Sequence, residues 1–283
     1  MDFLQKLNTI ITKNNSLVCI GLDSDVKKLP PHLFTQKNSQ FEFNKAVVDA
    51  THDLVCAYKP NSAFYEANGI EGITQLKMTC DYIRKTYPEI IIILDAKRAD
   101  IGSTNEGYVT YVFDYLGADA ITLHPYLGRE ALKPFLDRKD KGCIILCRTS
   151  NPGAGEFQDL LLSKSQSSHA LAKEGKPVYQ VIAENVAKEW NGNGNCALVV
   201  GATYPDELAI VRRLVGDMPI LIPGVGVQGG DVEKTVKVGL DSHKAGAIIN
   251  SSRGIIFASS GTDFAQSARK ETQKLKDLIN CYR

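Results

Sequence analysis

The stretch Ile90-Ile91-Ile92-Ile93-Leu94-Asp95-Ala96-Lys97-Arg98-Ala99-Asp100-Ile101-Gly102 carries an unbroken aliphatic run into a carboxylate, a lysine two positions on and a second carboxylate three beyond that. β-Branched residues in such a run favour a buried strand, and the charges after it mark a polar strand end. Side chains alternate along a strand, so Asp95 and Lys97 are expected on one face, which in a barrel is the interior near the rim. A lone buried charge is costly, whereas an ammonium flanked by carboxylates keeps its proton. Asp100 falls past the strand, on an expected loop over 99–104, where it either faces the same array or reaches a neighbouring subunit. A surface turn with an incidental ion pair would show the same local pattern, so the surrounding chain has to decide.

Working outward, apolar runs over 17–22 and 55–59 read as strands, the first ending at Gly21-Leu22-Asp23-Ser24-Asp25 and the second at Lys59-Pro60-Asn61, where proline stops it. Helical spacing follows over 41–54 and 69–86, and Met and aromatic residues in the latter read as core rather than as a cofactor box. Beyond the central stretch come a helix over 104–116, strands over 118–123 and 142–147, a helix over 178–190, and strands over 196–201, 219–223 and 246–250. Eight strands alternating with helices predict a (β/α)8 barrel formed by one domain over 1–283, with an open doubly wound sheet as the runner-up. Residues 153–175 turn toward Ser, Gln, Gly and Lys, which suggests an exposed excursion or lid too short for a second domain.

At 283 residues, 43% hydrophobic and 23% charged, the chain can bury a large core. Thirty-three basic residues against thirty-two acidic ones leave a formal charge of +1, with no long-range field for nucleic acid or an anionic membrane, so a small molecule is the expected partner. Seven cysteines without a CxxC pair fit small hydrophobes in a reducing cytoplasm and argue against zinc. The amphipathic start, interrupted by Asp2, Lys6 and Lys13, does not read as a signal peptide, and no apolar run reaches the length of a membrane helix.

Two glycine-bearing strand ends suggest phosphate. The seventh strand ends in Pro223-Gly224-Val225-Gly226-Val227-Gln228-Gly229-Gly230-Asp231, and the eighth in Asn250-Ser251-Ser252-Arg253-Gly254. Glycines let backbone N–H groups approach an anion, these two loops form the usual phosphate site of the barrel, and Arg253 offers a planar fork to phosphate oxygens. The same glycines would also serve plain turns, and they form no dinucleotide fingerprint.

Together with Cys19-Ile20-Gly21-Leu22-Asp23, Tyr58-Lys59-Pro60-Asn61 and Arg148-Thr149-Ser150-Asn151-Pro152, these motifs resemble orotidine 5′-phosphate decarboxylase over nearly the whole chain, most closely its longer bacterial-type branch. The resemblance implies a charged array of Lys59, Asp95, Lys97 and Asp100, with Lys97 as proton donor and Asp100 supplied across a homodimer interface. It implies Asp23 and Lys59 at the ribose, Asn61 in the same polar shell, and Thr104 reaching the partner's ribose. Ser150 would bond the pyrimidine and Gln228 and Arg253 the phosphate, with Ile101, Ser252 and Gly254 completing the binding set. The implied substrate is orotidine 5′-monophosphate, with no metal or other cofactor. His124, ahead of Pro125, reads as a pocket-wall or structural residue. The resemblance also implies that the chain lacks the phosphoribosyltransferase half of the fused eukaryotic enzyme.

Three rival readings remain open at the level of sequence. Magnesium-dependent sugar-phosphate decarboxylases and aldolases on the same barrel share the Asp-x-Lys-x-x-Asp strand end but need a carboxylate-held metal. A Schiff-base lysine at Lys59 or Lys97 would have to be neutral, against the pull of its carboxylate neighbours. A non-catalytic nucleotide sensor would keep the phosphate loops while losing a catalytic charge.

Overall fold

The computed structural model describes residues 1–162, 175–225 and 230–283. In chain order its strands are β1 (Val18–Gly21), β2 (Ala57–Lys59), β3 (Ile91–Arg98), β4 (Ala120–Leu123), β5 (Gly142–Arg148), β6 (Leu161–Leu162), β7 (Lys176–Pro177), β8 (Cys196–Val200), β9 (Ile220–Pro223) and β10 (Ala247–Ser251). All but β6 and β7 are parallel neighbours in one closed barrel, and the latter two form a separate antiparallel pair. The pairing of β10 with β1, from Val18 opposite Ile249 to Ile20 opposite Ser251, closes the sheet and rules out the open alternative. The (β/α)8 barrel expected from the strand count is therefore the fold.

The strands earn their places by burial. Ile91, Ile92, Ile93 and Leu94 are almost wholly enclosed, and each such side chain contributes roughly 1.5–3 kcal/mol relative to exposure. Helices cover the outside, among them Ser39–Thr51, Gly69–Thr86, Gly102–Val109, Gly128–Leu136 and Phe264–Cys281. The helix expected over 104–116 starts earlier, at Gly102, and continues as a π-helical turn over Thr110–Tyr115, so Thr104 lies on a helix rather than on a loop.

The end of the barrel where the strands begin is closed by the chain's first helix, Phe3–Asn14. Asp2 and Gln5 form a reciprocal capping box at its start, and Asn15, in the left-handed region at φ 43°, ends it. A Cβ on Gly142 would sit 2.8 Å from the Phe3 ring, so glycine is what lets β5 begin against that ring. Lys6 reaches both oxygens of Asp119 at 2.8 Å, and Asp119 also accepts the Ile92 N–H.

Arg212, buried near the starts of β9 and β10, donates to the carbonyls of Gly216, Met218, Gly239 and Gly246 at 2.6–3.1 Å. Burial pulls its pKa down to about 10, only partly offset by Asp241 and Asp217.

The excursion over 153–175 is built in part from local structure. A 3-10 turn over Pro152–Ala154, a helical turn over Gly155–Gln158 and the β6–β7 pair are seen on either side of 163–174. Arg148, at the end of β5, anchors it. Its guanidinium meets Asp159 at 3.0 Å and stacks 3.8 Å over the Tyr204 ring.

Candidate active site

A cavity of about 410 Å³ opens at the C-terminal ends of the barrel strands. Its floor is charged. Asp95 lies at the centre and accepts four hydrogen bonds: Lys59 Nζ at 2.8 Å and Asn61 Nδ2 at 3.2 Å on Oδ2, and Lys97 Nζ at 2.6 Å and Thr122 Oγ1 at 2.9 Å on Oδ1. One wall is apolar, made by Leu146, Val199, Leu221 and Val225. A polar loop from Thr149 to Asn151 stands along the rim, and Ser252, Arg253 and Gly254 enter from the end of β10.

The position of Lys97 depends on an irregularity in β3. Between Leu94 and Arg98 the strand advances four positions while β4 advances two, from Ile121 to Leu123. Lys97 takes up this surplus in the left-handed region, at φ 47°, where a non-glycine residue is strained. Asp95 and Lys97 do share the cavity, as alternation predicts, but the lysine arrives through a bulge rather than a regular strand. Bulges of this kind re-aim side chains next to functional sites.

Burial pulls the pKa of Lys59 down, but the Asp95 and Asp23 carboxylates more than reverse this, and it stands above its ordinary value. Burial likewise pushes the Asp95 carboxyl up, yet Lys59 and Lys97 together hold it well below the usual carboxylate range. Both groups are therefore charged at neutral pH. Beneath them, burial pushes the Cys19 thiol up to about 12, which leaves it protonated and inert beside the array.

Of the residues expected from sequence, Lys59, Asp95, Lys97, Asp23, Asn61, Ser150, Ser252, Arg253 and Gly254 line this one cavity. Asp100, Ile101 and Thr104 do not. Asp100 accepts from the Ile101 N–H at 2.7 Å, its own N–H binds Asn105, and Thr104 lines a separate outer groove with Ile73, Tyr108 and Tyr111. Gln228 lies outside the described residues. His124 is not among the cavity-lining residues.

Sequence reasoning missed Thr122, Gln158 and Asn250, all of which line the cavity. Thr122 and Asn250 were visible as polar residues inside aliphatic strands, where period-two alternation turns them inward. Gln158 carried no such signal. Its carbonyl accepts the Thr149 N–H at 2.9 Å and its amide donates to Thr149 Oγ1, which ties the excursion to the rim loop.

Fold and site define a (β/α)8-barrel protein with a lysine–aspartate–lysine array at the strand ends, the face on which barrel enzymes carry their chemistry. The chain belongs to the Orotidine 5′-phosphate decarboxylase / HUMPS family, whose model matches residues 16–268. It is 48% identical over 285 residues to the orotidine 5′-phosphate decarboxylase of Cellvibrio japonicus (strain Ueda107), covering 100% of both chains. Among solved structures, it matches Leishmania donovani OMP decarboxylase with a TM-score of 0.81 and 33% identity, covering 99% of this chain and 100% of that one. It also matches Leishmania donovani UMP synthase with a TM-score of 0.84 and 35% identity, spanning 100% of this chain but 56% of that longer one.

Proposed function

We propose that this chain decarboxylates orotidine 5′-monophosphate to UMP and CO2, the last step of de novo UMP synthesis, without a metal or other cofactor. The observation that carries this reading is the pair of ammonium groups held on one buried carboxylate at the cavity floor. Loss of CO2 from C6 of the pyrimidine leaves a carbanion on a vinyl carbon with no attached carbonyl to delocalise it. A fixed ammonium beside that carbon stabilises the charge as it develops, more in the transition state than in the ground state. Lys97 takes this role and then gives its proton to C6. Asp95 lies beside the departing carboxylate, holds the Lys97 Nζ at 2.6 Å, and disfavours the carboxylated ground state by repulsion.

Asp23 and Lys59 meet the ribose, with Asn61 in the same polar shell, and Ser150 bonds the pyrimidine. Arg253 and Gln228, with Ser252 and Gly254, hold the phosphate, whose binding energy serves the remote chemical step. Asp100 and Thr104 act on the site of a second subunit in a homodimer, and Ile101, between them in sequence, belongs to the binding set. In support of that role, two exposed apolar residues lie on the chain segments that line the groove holding Thr104: Ile70, on the helix that carries Ile73, and Ile101, three residues before Thr104. The cytoplasm, read from the unpaired cysteines, belongs to the same proposal; no described helix is long and apolar enough to cross a membrane.

The rival chemistries fit the site less well. A magnesium enediolate needs carboxylates free to hold the metal, but both oxygens of Asp95 carry an ammonium, which leaves Asp23 as the one other carboxylate among the described cavity-lining residues. A Schiff-base lysine must be neutral, and Lys59 is held in its charged form. A sensor has no need of two ammonium groups held on one buried carboxylate.

The test is the absorbance of orotidine 5′-monophosphate mixed with the protein in EDTA, beside Lys97→Ala. Loss of the orotate chromophore with wild type alone supports the reading. No turnover in EDTA, with activity on sugar phosphates and magnesium instead, would overturn it, as would tight UMP binding without turnover.

A further inference from the structure

The bulge in β3 leaves the Lys97 backbone N–H without a regular ladder partner, because β4 is two residues short of it across the irregularity. That N–H is instead accepted by Thr122 Oγ1 at 3.0 Å, and the same hydroxyl passes its own proton to Asp95 Oδ1 at 2.9 Å. Asp95 Oδ1 in turn accepts from Lys97 Nζ at 2.6 Å. The three contacts form a closed ring from the backbone of Lys97, through Thr122 and Asp95, back to the ammonium of Lys97 itself.

We propose that Thr122 is a positioning residue that fixes both ends of Lys97, so that the strained backbone and the flexible side chain deliver the ammonium to one place. The assignment rests on the decarboxylase reading for its effect on rate, but not for its effect on structure. Three features support it. The Lys97 side chain is about half exposed, so packing alone does not hold its four-carbon stem. Thr122 is wholly buried, so water cannot replace its hydroxyl cheaply. The left-handed backbone at Lys97 also needs support from its surroundings to persist. The hydroxyl is the necessary part, since it alone both accepts and donates. Valine keeps the shape but breaks the ring at two points, whereas serine keeps the ring.

The experiment compares Thr122→Val and Thr122→Ser in the full chain, by steady-state kinetics with orotidine 5′-monophosphate and by amide hydrogen exchange at Lys97. In Thr122→Val we expect kcat to fall about 10- to 100-fold with KM within about threefold, the pattern of a displaced reacting group. Lys97 exchange should accelerate about tenfold or more in the same variant. Thr122→Ser should keep both quantities within about threefold of wild type. If Val and Ser lose kcat equally, the effect follows packing and the proposal is overturned; it is equally overturned if Val leaves kcat within about twofold. Should wild type fail to turn over the nucleotide, the functional reading falls, and exchange at Lys97 still decides on the ring, with unchanged exchange in Val overturning it. Should Val not fold, Thr122→Ala takes its place against Ser, since those two differ by the hydroxyl alone.

Discussion

Lys59 and Lys97 share one carboxylate: the first meets Asp95 Oδ2 at 2.8 Å and the second Oδ1 at 2.6 Å. Their environments differ sharply, since the Lys59 side chain is 4% exposed and that of Lys97 49%. One ammonium is structural as much as functional, and the other stands open to a ligand. Removing the carboxylate therefore has different consequences for the two.

Asp95→Asn leaves the buried ammonium of Lys59 without its hydrogen-bonded carboxylate, with only Asp23, among the described residues, remaining as a nearby negative charge, and breaking such a buried pair costs about 3–5 kcal/mol. Urea unfolding at pH 7 should show this as a lowered midpoint with an unchanged slope. The difference from wild type is pH-dependent. The Asp95 pKa is depressed on folding, so its contribution is present above about pH 4 and is lost as the pH falls through the lower folded value. The Lys59 pKa is raised, so its contribution is present below about pH 10 and is lost as the pH rises through the higher folded value. A stability gap between wild type and variant that stays constant from neutral pH to well below pH 4 would contradict this account.

Arg253→Ala should lower kcat/KM for the 5′-monophosphate about 10- to 100-fold, the size of one or two charge-assisted hydrogen bonds. The nucleoside lacking the phosphate is the control, and its slow turnover should be the same in both proteins. An equal loss on both substrates would move Arg253 away from the phosphate.

Hybrid dimers test whether Asp100 works on its neighbour. Neither Lys97→Ala nor Asp100→Ala alone should be active, but unfolding and refolding them as an equal mixture should restore about a quarter of wild-type activity, through hybrids with one intact site. If the mixture stays as inactive as its parents while size measurements show mixed dimers, the two residues act within one subunit.

Arg212→Met should destabilise the barrel by about 3 kcal/mol or more, because it removes at once the guanidinium's hydrogen bonds to the carbonyls of Gly216, Met218, Gly239 and Gly246. Activity at low temperature should be retained, since Arg212 lies at the opposite end of the strands from the cavity. A thermal midpoint equal to wild type would refute the structural role.

The alternation of aliphatic runs with helices made the barrel legible, and strand-end charges located Lys59, Asp95, Lys97 and Arg253 because polar residues after buried strands point to one rim. The bulge was not legible. Nothing in Asp95-Ala96-Lys97-Arg98 distinguishes a regular strand from one carrying surplus residues, because the left-handed turn at Lys97 is imposed by contacts with β4. Thr122 was legible as an inward polar residue of its strand but not as the partner of Lys97, and Gln158 escaped altogether, because a glutamine in a polar stretch is not unusual by itself. For Asp100 the residues themselves left two directions open, towards the array or towards a neighbouring subunit, and only the family resemblance turned Asp100 and Thr104 to the partner.

The surplus in β3 also bears on how this chain can change. A stabilising redesign that rewards regular strands would straighten Leu94 to Arg98 against β4. That repair would restore the ladder, free the Thr122 hydroxyl and carry the ammonium of Lys97 out of its ring. This irregular piece of backbone is thus one that drift toward robustness cannot correct without silencing the site.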